Sequence, residues 1–380
     1  MHLGTPDFDL RHPFASAYRR SAAIRHKSWK ERNSPIRIVI IAPPWVAVPP
    51  RAYGGTESVL DTLARGLHTA GHDVLLFTTG DSTCPVPTAS VLPQAIGVGV
   101  GGSATEMRHV IHAYQTAADA DIVHDHTLVG PVYADRFAGL PVVTTNHGPF
   151  QSELGDYYRA IGDRTPVIAI SQHQASTADG IPIAAVIHHG VDLERFPPGP
   201  GDGGYAVFLG RMCPEKGVDA AIRVARQAGM PLRIAAKMSE AAEQLYFEQR
   251  VRPLLGGDIE YIGEVGGADK TKLLGGATCL LNPIAWPEPF GMVMVEALGC
   301  GTPVVATPMG AVPEIVDHGV TGFVCSSEPA LADALTAVAG LGREACRQAV
   351  AARFSAERMV AEHVLLYEAL ISGRRLPQAA

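Results

Sequence analysis

The stretch WPEPFGMVMVEALGCGTPVVAT, Trp286 to Thr307, decides the fold. An apolar strand candidate, Cys279-Leu280-Leu281, precedes it. Pro287 and Pro289 hold the residues before them extended, because a proline ring pushes its predecessor out of the helical region. Gly291 then permits close backbone approach. From Met292 the pattern is helical and apolar on nearly all sides, up to the breakers Gly299 and Gly301. Pro303 to Thr307 reads as a second buried strand. Strand, loop, helix and strand in this order make a βαβ unit.

Two carboxylates stand out within it. Glu296 is the only charged residue between Pro289 and Pro313, and an ionised group in so apolar a setting is costly unless something satisfies it. It lies one helical turn from Met292. Glu288 sits in the loop just before the helix. The N–H groups of Phe290, Gly291 and Met292 are expected to point out of the helix start, where they suit the oxygen atoms of a ligand. The plain structural alternative is that Glu288 caps the helix and Glu296 pairs with a distant arginine.

Composition sets the frame. A length of 380 residues suggests two domains, and an apolar fraction of 47% with 40 Gly and 29 Pro suits an α/β enzyme with many tight turns. A net charge of −7 argues against a general nucleic-acid surface. No apolar run is long enough to span a membrane. The six cysteines show neither CxxC nor zinc spacing, so buried reduced thiols and a cytoplasmic setting are expected. Residues 1–34 carry seven basic residues from Arg11 to Arg32 without an apolar period and read as a disordered leader. Peripheral contact with a membrane surface is the second reading of that segment.

After the leader the chain alternates. Ile36 to Ala42 is a buried strand, Gly54-Gly55 leads into a helix over about Thr56 to Thr69, and Asp73 to Thr79 is the second strand. A glycine pair between first strand and first helix permits approach to a phosphate, although it is not GxGxxG. Ala104 to Ala117 is helical. Strands at Asp121 to His124, Pro141 to Thr145 and Pro166 to Ile170 each end in a polar cluster: Asp125-His126, Asn146-His147-Gly148 and Ser171-Gln172. Ligands of open parallel sheets bind beyond strand carboxyl ends, so these clusters line one rim. His124 and His126 share a strand face, but no third metal ligand is visible, whereas His147, at a strand end before a glycine, is the better functional candidate. Ala184 to Ile187 closes this half, and the Pro/Gly-rich run FPPGPGDGGY marks a linker and a domain boundary near 200.

The second half restarts the alternation with strands at Tyr205 to Leu209, Leu232 to Ala236 and Asp258 to Ile262, then the deciding stretch and Gly322 to Cys325. Arg211 and Lys216, five apart after a buried strand, could clamp two phosphates, the first by a fork of donors and the second by a point charge; the plain alternative is solvated surface charge. Ser355 to Ile371 is amphipathic.

The motifs GRMCPEKG, IGEV, EPFGMVMVEALGCGTPVV and YGGTE, with VHDH, NHG and HHGVD, resemble those of the family-4 retaining glycosyltransferases over about residues 36 to 371. The resemblance implies an α/β fold of two Rossmann-like domains facing across a cleft (the GT-B type): 35–199 on the acceptor side, 200–354 for the sugar nucleotide, and a final helix, 355–371, crossing back to the first. It implies a nucleotide-diphosphate sugar, with a uridine nucleotide preferred, and a hydroxyl acceptor. By the same resemblance Arg211 and Lys216 hold the diphosphate, and Glu296 accepts bonds from the ribose hydroxyls. Glu288 and the N–H groups of Phe290, Gly291 and Met292 hold the donor sugar. Gly55 approaches the diphosphate from the other domain, His147 sits near the transferring sugar, and Val265 meets the base through its main chain. One departure is Ala235-Ala236-Lys237, where the family often has a glycine.

Two cations and a helix start suit the negative charge that builds on a leaving phosphate, and one well-placed donor of this kind is typically worth roughly 3 to 4 kcal/mol. Both carboxylates flank one helix start, which suits holding hydroxyls better than the two-carboxylate double displacement of retaining hydrolases. No Asp-x-Asp segment of the sort that carries a divalent ion to a diphosphate is expected, and no metal or other cofactor. The competing classes are a non-catalytic sugar-nucleotide-binding protein and a sugar-nucleotide epimerase. The latter needs a general base, and no convincing carboxylate for it is seen in the first half. Loops around Trp45 to Tyr53 and Phe150 to Tyr158 are expected to face the acceptor, whether glycan, glycolipid or small metabolite, through their aromatic residues.

Overall fold

The structure is a computed structural model in which residues 35–97 and 103–373 are described; the leader 1–34 lies outside them. The chain runs β1 (Arg37–Ile41), α1 (Gly55–Thr69), β2 (Asp73–Phe77), β3 (Thr88–Ala89), α2 (Ser103–Thr116), β4 (Ile122–Asp125), α3 (Gly130–Tyr133), β5 (Val142–Thr145), α4 (Ser152–Ile161), β6 (Val167–Ala169), α5 (Gln172–Ser176) and β7 (Ile183–Val186). It continues with β8 (Ala206–Arg211), α6 (Val218–Ala228), β9 (Leu232–Lys237), α7 (Ala241–Tyr246), β10 (Ile259–Gly263), α8 (Gly267–Gly276), β11 (Cys279–Asn282) and α9 (Met292–Gly299). Then follow β12 (Val304–Ala306), α10 (Val312–Ile315), β13 (Gly322–Val324), α11 (Glu328–Ala337), α12 (Arg343–Arg353) and α13 (Ala356–Ile371).

Two parallel sheets result, ordered β3-β2-β1-β4-β5-β6-β7 and β10-β9-β8-β11-β12-β13. Their strands read as continuous apolar runs because both faces are covered. In β1, Ile38 and Ile40 pack with α1, while Val39 and Ile41 pack with Val110 and Tyr114 of α2. In β8, Val207 packs with α9, while Ala206 and Phe208 pack with α6.

The strand order decides where the site forms. In the second sheet the chain leaves β8 towards β9 on one side and later returns to β11 on the other, so the loops after β8 and β11 diverge from adjacent strand ends. That is a topological switch point, where open α/β sheets bind ligands. The first sheet has the same arrangement at β1 and β4. Gly217, in the left-handed region at φ 74°, ends the loop after β8; a β-carbon there would lie 2.2 Å from Pro283 O in the loop after β11. The two loops therefore touch, and only glycine fits between them.

Phe354 ends the second sheet's helices and α13 returns to the first. Its Met359, Val360, Val364 and Tyr367 join the core of Val59, Leu60 and Leu63 on α1. Gly66 makes that approach possible, since a β-carbon there would lie 2.4 Å from Val360 Cγ2. The expected linker after residue 196 is not a free tether. A β-carbon on Gly199 would lie 2.3 Å from Gly275, and the Arg343 guanidinium ties Gly199 O, Gly275 O and Ala277 O together.

Candidate active site

Loops from both sheets line one cavity of about 460 Å³. Nine of the ten residues expected at the site border it: Gly55, His147, Lys216, Val265, Glu288, Phe290, Gly291, Met292 and Glu296. Arg211 does not. It lies beside Tyr53, itself a lining residue, and its guanidinium is 3.9 Å from Glu243 Oε1.

Lys216 and Glu288 meet because β8 and β11 are neighbours. Lys216 is 7% exposed, and its Nζ donates to Glu288 Oε1. Glu288 is thus not the helix cap of the plain alternative. The residue before α9 is Gly291 at φ 105°, and no side chain caps the helix. Glu288 Oε2 is buried without a hydrogen-bond partner among the described residues, 3.5 Å from where a β-carbon on Gly291 would stand. A buried carboxylate oxygen left open in this way costs free energy unless a ligand donor meets it. Phe290 itself points into the core, edge-on to His189.

Glu296 is 5% exposed and also paired, but with a lysine rather than an arginine: Lys270 Nζ donates to its Oε1 at 2.7 Å. Lys270 comes from α8 and lines the cavity, as does Lys237 at the end of β9. Lys237 belongs to the stretch Ala235-Ala236-Lys237 that departs from the resemblance, and its Nζ lies 3.5 Å from Glu240 Oε1.

The first sheet presents the start of α1. A β-carbon on Gly55 would lie 4.0 Å from Met292 Cγ, so two helix starts face each other across the cleft. Glu57, also lining the cavity, corrects the expectation that the first half offers no carboxylate here. It is 7% exposed, and burial pushes its carboxyl up to about 7.

His147 stands at the end of β5 in a column of imidazoles. Its Nε2 lies 2.9 Å from His126 Nδ1, its ring stacks on His189 at 5.2 Å, and the His124 and His126 rings are 4.0 Å apart. His124 is held by Tyr367 and Thr145 at 2.7 and 2.8 Å. Burial lowers all of these, His147 to about 4 and His124, His126 and His189 well below the usual imidazole range. They are neutral at pH 7.

Two further expectations need correction. Phe150 to Tyr158 is largely helix, and Phe150 and Tyr158 are buried in a core cluster with Ile161 and Val167, so they present no aromatic face to an acceptor. Trp45 and Tyr53 do line the cavity. The chain also contains two Asp-x-Asp segments against the expectation of none: Asp7-Phe8-Asp9, outside the described residues, and Asp119-Ala120-Asp121. The second precedes β4, at the strand ends away from the cavity, where Asp121 Oδ2 accepts from Arg37 N at 2.7 Å. Among the described residues no group of three His, Cys, Asp or Glu is arranged to hold a metal ion.

Lys237, Lys270, Glu57 and His189 line the cavity without being among the residues expected there. Lys237 carried a signal, as the departure after β9. Lys270 carried none, since it lies in the polar run DKTK.

The chain is similar to known glycosyltransferases. A family model described as "Glycosyltransferase Family 4" matches residues 53–195, and one described as "Glycosyl transferases group 1" matches residues 203–340. The phosphatidyl-myo-inositol mannosyltransferase of Mycobacterium leprae is 27% identical over 80% of this chain and 87% of its own. A D-inositol 3-phosphate glycosyltransferase of Saccharomonospora viridis is 30% identical over 60% of this chain and 64% of its own. Among solved structures, AviGT4, a glycosyltransferase involved in avilamycin A biosynthesis, is 28% identical with a TM-score of 0.70 over 89% of this chain and 99% of that one. Sucrose-phosphate synthase from Thermosynechococcus elongatus, 21% identical, shares the fold with a TM-score of 0.74 over 90% of this chain and 100% of its own.

Proposed function

The chain belongs to family 4 of the glycosyltransferases and acts on a sugar nucleotide, and we propose that it moves a hexose, with retention and without a metal ion, from a nucleoside diphosphate sugar to a hydroxyl acceptor. The observation that carries this reading is Glu288, held by Lys216 through one oxygen while the other is buried beside the start of α9 with no partner among the described residues. An acceptor-only oxygen in that position suits a hydroxyl of the donor sugar.

In this reading Lys216 turns partly from Glu288 to the diphosphate, assisted by the N–H groups at the starts of α9 and α1 and by Arg211 behind Tyr53. Glu296, oriented by Lys270, accepts from the ribose hydroxyls, and Val265 meets the base. As the bond from the anomeric carbon to the phosphate oxygen breaks, its electron pair stays on that oxygen. The acceptor oxygen bonds the anomeric carbon from the same face, and its proton passes to the leaving phosphate. His147, neutral at pH 7, offers the sugar a polar contact rather than a proton. Lys216 and the helix starts stabilise the leaving charge that a metal would otherwise neutralise.

A uridine nucleotide is the first choice of donor, on family resemblance. The relatives named for inositol-based acceptors support a ring polyol, free or lipid-borne, as the acceptor. Lipid-borne acceptors would require contact with a membrane surface. No helix among the described residues is long and apolar enough to cross a membrane. We further take the two sheets as cores of domains 35–199 and 200–354, with α13 belonging to the first, as its packing on α1 supports. A cytoplasmic setting is supported by six cysteines that are all free.

The test has two stages. A thermal-shift panel of UDP-, GDP- and ADP-hexoses selects the donor, since a ligand at 100 times its Kd stabilises by about 2.7 kcal/mol. The selected donor is then incubated in EDTA with inositol, phosphatidylinositol vesicles or oligosaccharides, and the anomeric coupling of the new linkage is read by NMR. Turnover in EDTA with the donor's own configuration is expected. Loss of turnover restored by Mg²⁺ refutes metal independence, and an inverted linkage refutes the assigned donor site.

A further inference from the structure

Glu57 is used by none of these steps, yet its surroundings are unusual. Among the described residues it is the one carboxyl that the first sheet's elements contribute to the cavity. It is the third residue of α1, and its side chain folds back over the helix start: a β-carbon on Gly54 would lie 2.9 Å from Glu57 Oε2. The absent side chain of Gly54 makes the room.

The charged groups that share the cavity are Lys216, Lys237, Glu240, Lys270, Glu288 and Glu296 from the second sheet's elements. Lys216 is engaged with Glu288, Lys270 with Glu296 and Lys237 with Glu240. His147 and His189 also line it and are held neutral by burial. On its own helix Asp61 is bound by Arg65 and Arg195. Among the described residues, Glu57 is therefore a buried acid whose one neighbouring positive pole not already engaged is the start of α1. A diphosphate reaching Gly55 brings a second anion to that same pole, and two anions in one low-dielectric place disfavour each other.

We propose that Glu57 couples donor binding to proton uptake: when a sugar nucleotide diphosphate occupies the start of α1, Glu57 takes up a proton and its carboxyl O–H donates to the ligand. The inference rests on the proposed donor site. Burial already holds the carboxyl at about 7 in the free protein, so close to neutrality a fraction of a proton is missing and can be supplied from solvent. Above that pH, donor affinity falls as the pH rises, by up to about tenfold per unit.

The experiment is calorimetric titration of the full chain at pH 7.5 with UDP-glucose and with GDP-mannose, each in HEPES and in Tris. A sugar-capped diphosphate has no proton of its own to exchange near neutrality, so a difference in enthalpy between buffers counts protons taken up by the protein. Wild type is expected to take up roughly half a proton or more on binding. Glu57→Gln, close to isosteric, is expected to take up none and to bind with an affinity that stays level from pH 6 to 9. Binding with no buffer dependence in wild type, or unchanged uptake in Glu57→Gln, overturns the inference while leaving the donor site in place. Binding of neither nucleotide overturns the donor site and the inference together.

Discussion

Gly55 and Met292, 237 positions apart in the chain, stand across the cleft from each other with only 4.0 Å between Met292 Cγ and the place a β-carbon on Gly55 would take. Each opens a helix, and the two positive poles therefore face a common space. Gly55→Ala meets no closer neighbour than this, and a glycine-to-alanine change at a compatible backbone position stabilises by about 0.4 to 1 kcal/mol. The variant is expected to melt no lower than wild type yet bind the sugar nucleotide more weakly, because the methyl group occupies the approach to α1. Melting curves and a nucleotide titration on one preparation check both parts. Unchanged affinity would remove α1 from the donor site.

Lys216 tests the buried pair. Removing one partner of a buried ion pair typically costs about 3 to 5 kcal/mol, because the other charge is left uncompensated. Lys216→Met should show a loss of that size in urea denaturation and no measurable transfer. The double variant Lys216→Met with Glu288→Gln should regain most of the stability and none of the activity. Recovered activity in the double variant would show that the pair is structural only.

Glu296→Gln keeps the shape of α9 and removes the charge that Lys270 meets. Nucleotide affinity is expected to fall at least tenfold while affinity for inorganic diphosphate changes little, since Glu296 is assigned to the ribose. Equal losses for both ligands would point instead to the exposed charge of Lys270, which then repels or misdirects the whole donor.

The imidazole column makes a pH prediction. His363 of α13 extends it, its ring 5.3 Å from that of His124, and its Nδ1 donates to Met359 O at 2.8 Å; burial lowers it to about 4 in the folded chain. An unfolded histidine titrates near 6.5, so between these values the unfolded chain binds a proton that the folded one does not. Stability is therefore complete at neutral pH and is lost as pH falls from about 6.5 towards 4, at about 1.4 kcal/mol per pH unit for each such histidine. His363→Gln should flatten the acid limb of urea stability by about one proton. A slope equal to wild type would mean that His363 is not buried in its neutral form.

The sequence alone determined the alternation and most of the donor wall. Apolar runs such as Arg37–Ile41 and Cys279–Asn282 are short, buried strands, and the spacing around Glu288 and Glu296 belongs to one loop and one helix, so local pattern sufficed. Surface helices such as Ser152–Ile161 and Glu328–Ala337 carried weaker patterns and were missed. Only the tertiary structure decided which cations serve which carboxylates. Lys216 reaches Glu288 because β8 and β11 are hydrogen-bonded neighbours, a fact of strand order, and Lys270 reaches Glu296 from a separate helix. The same holds for Glu57: that it is buried, with its carboxyl pushed up to about 7, and lines a cavity shared by loops of both sheets is visible only in the folded chain. A residue's partners across a cleft depend on contacts between distant segments, and spacing along the chain carries no record of them.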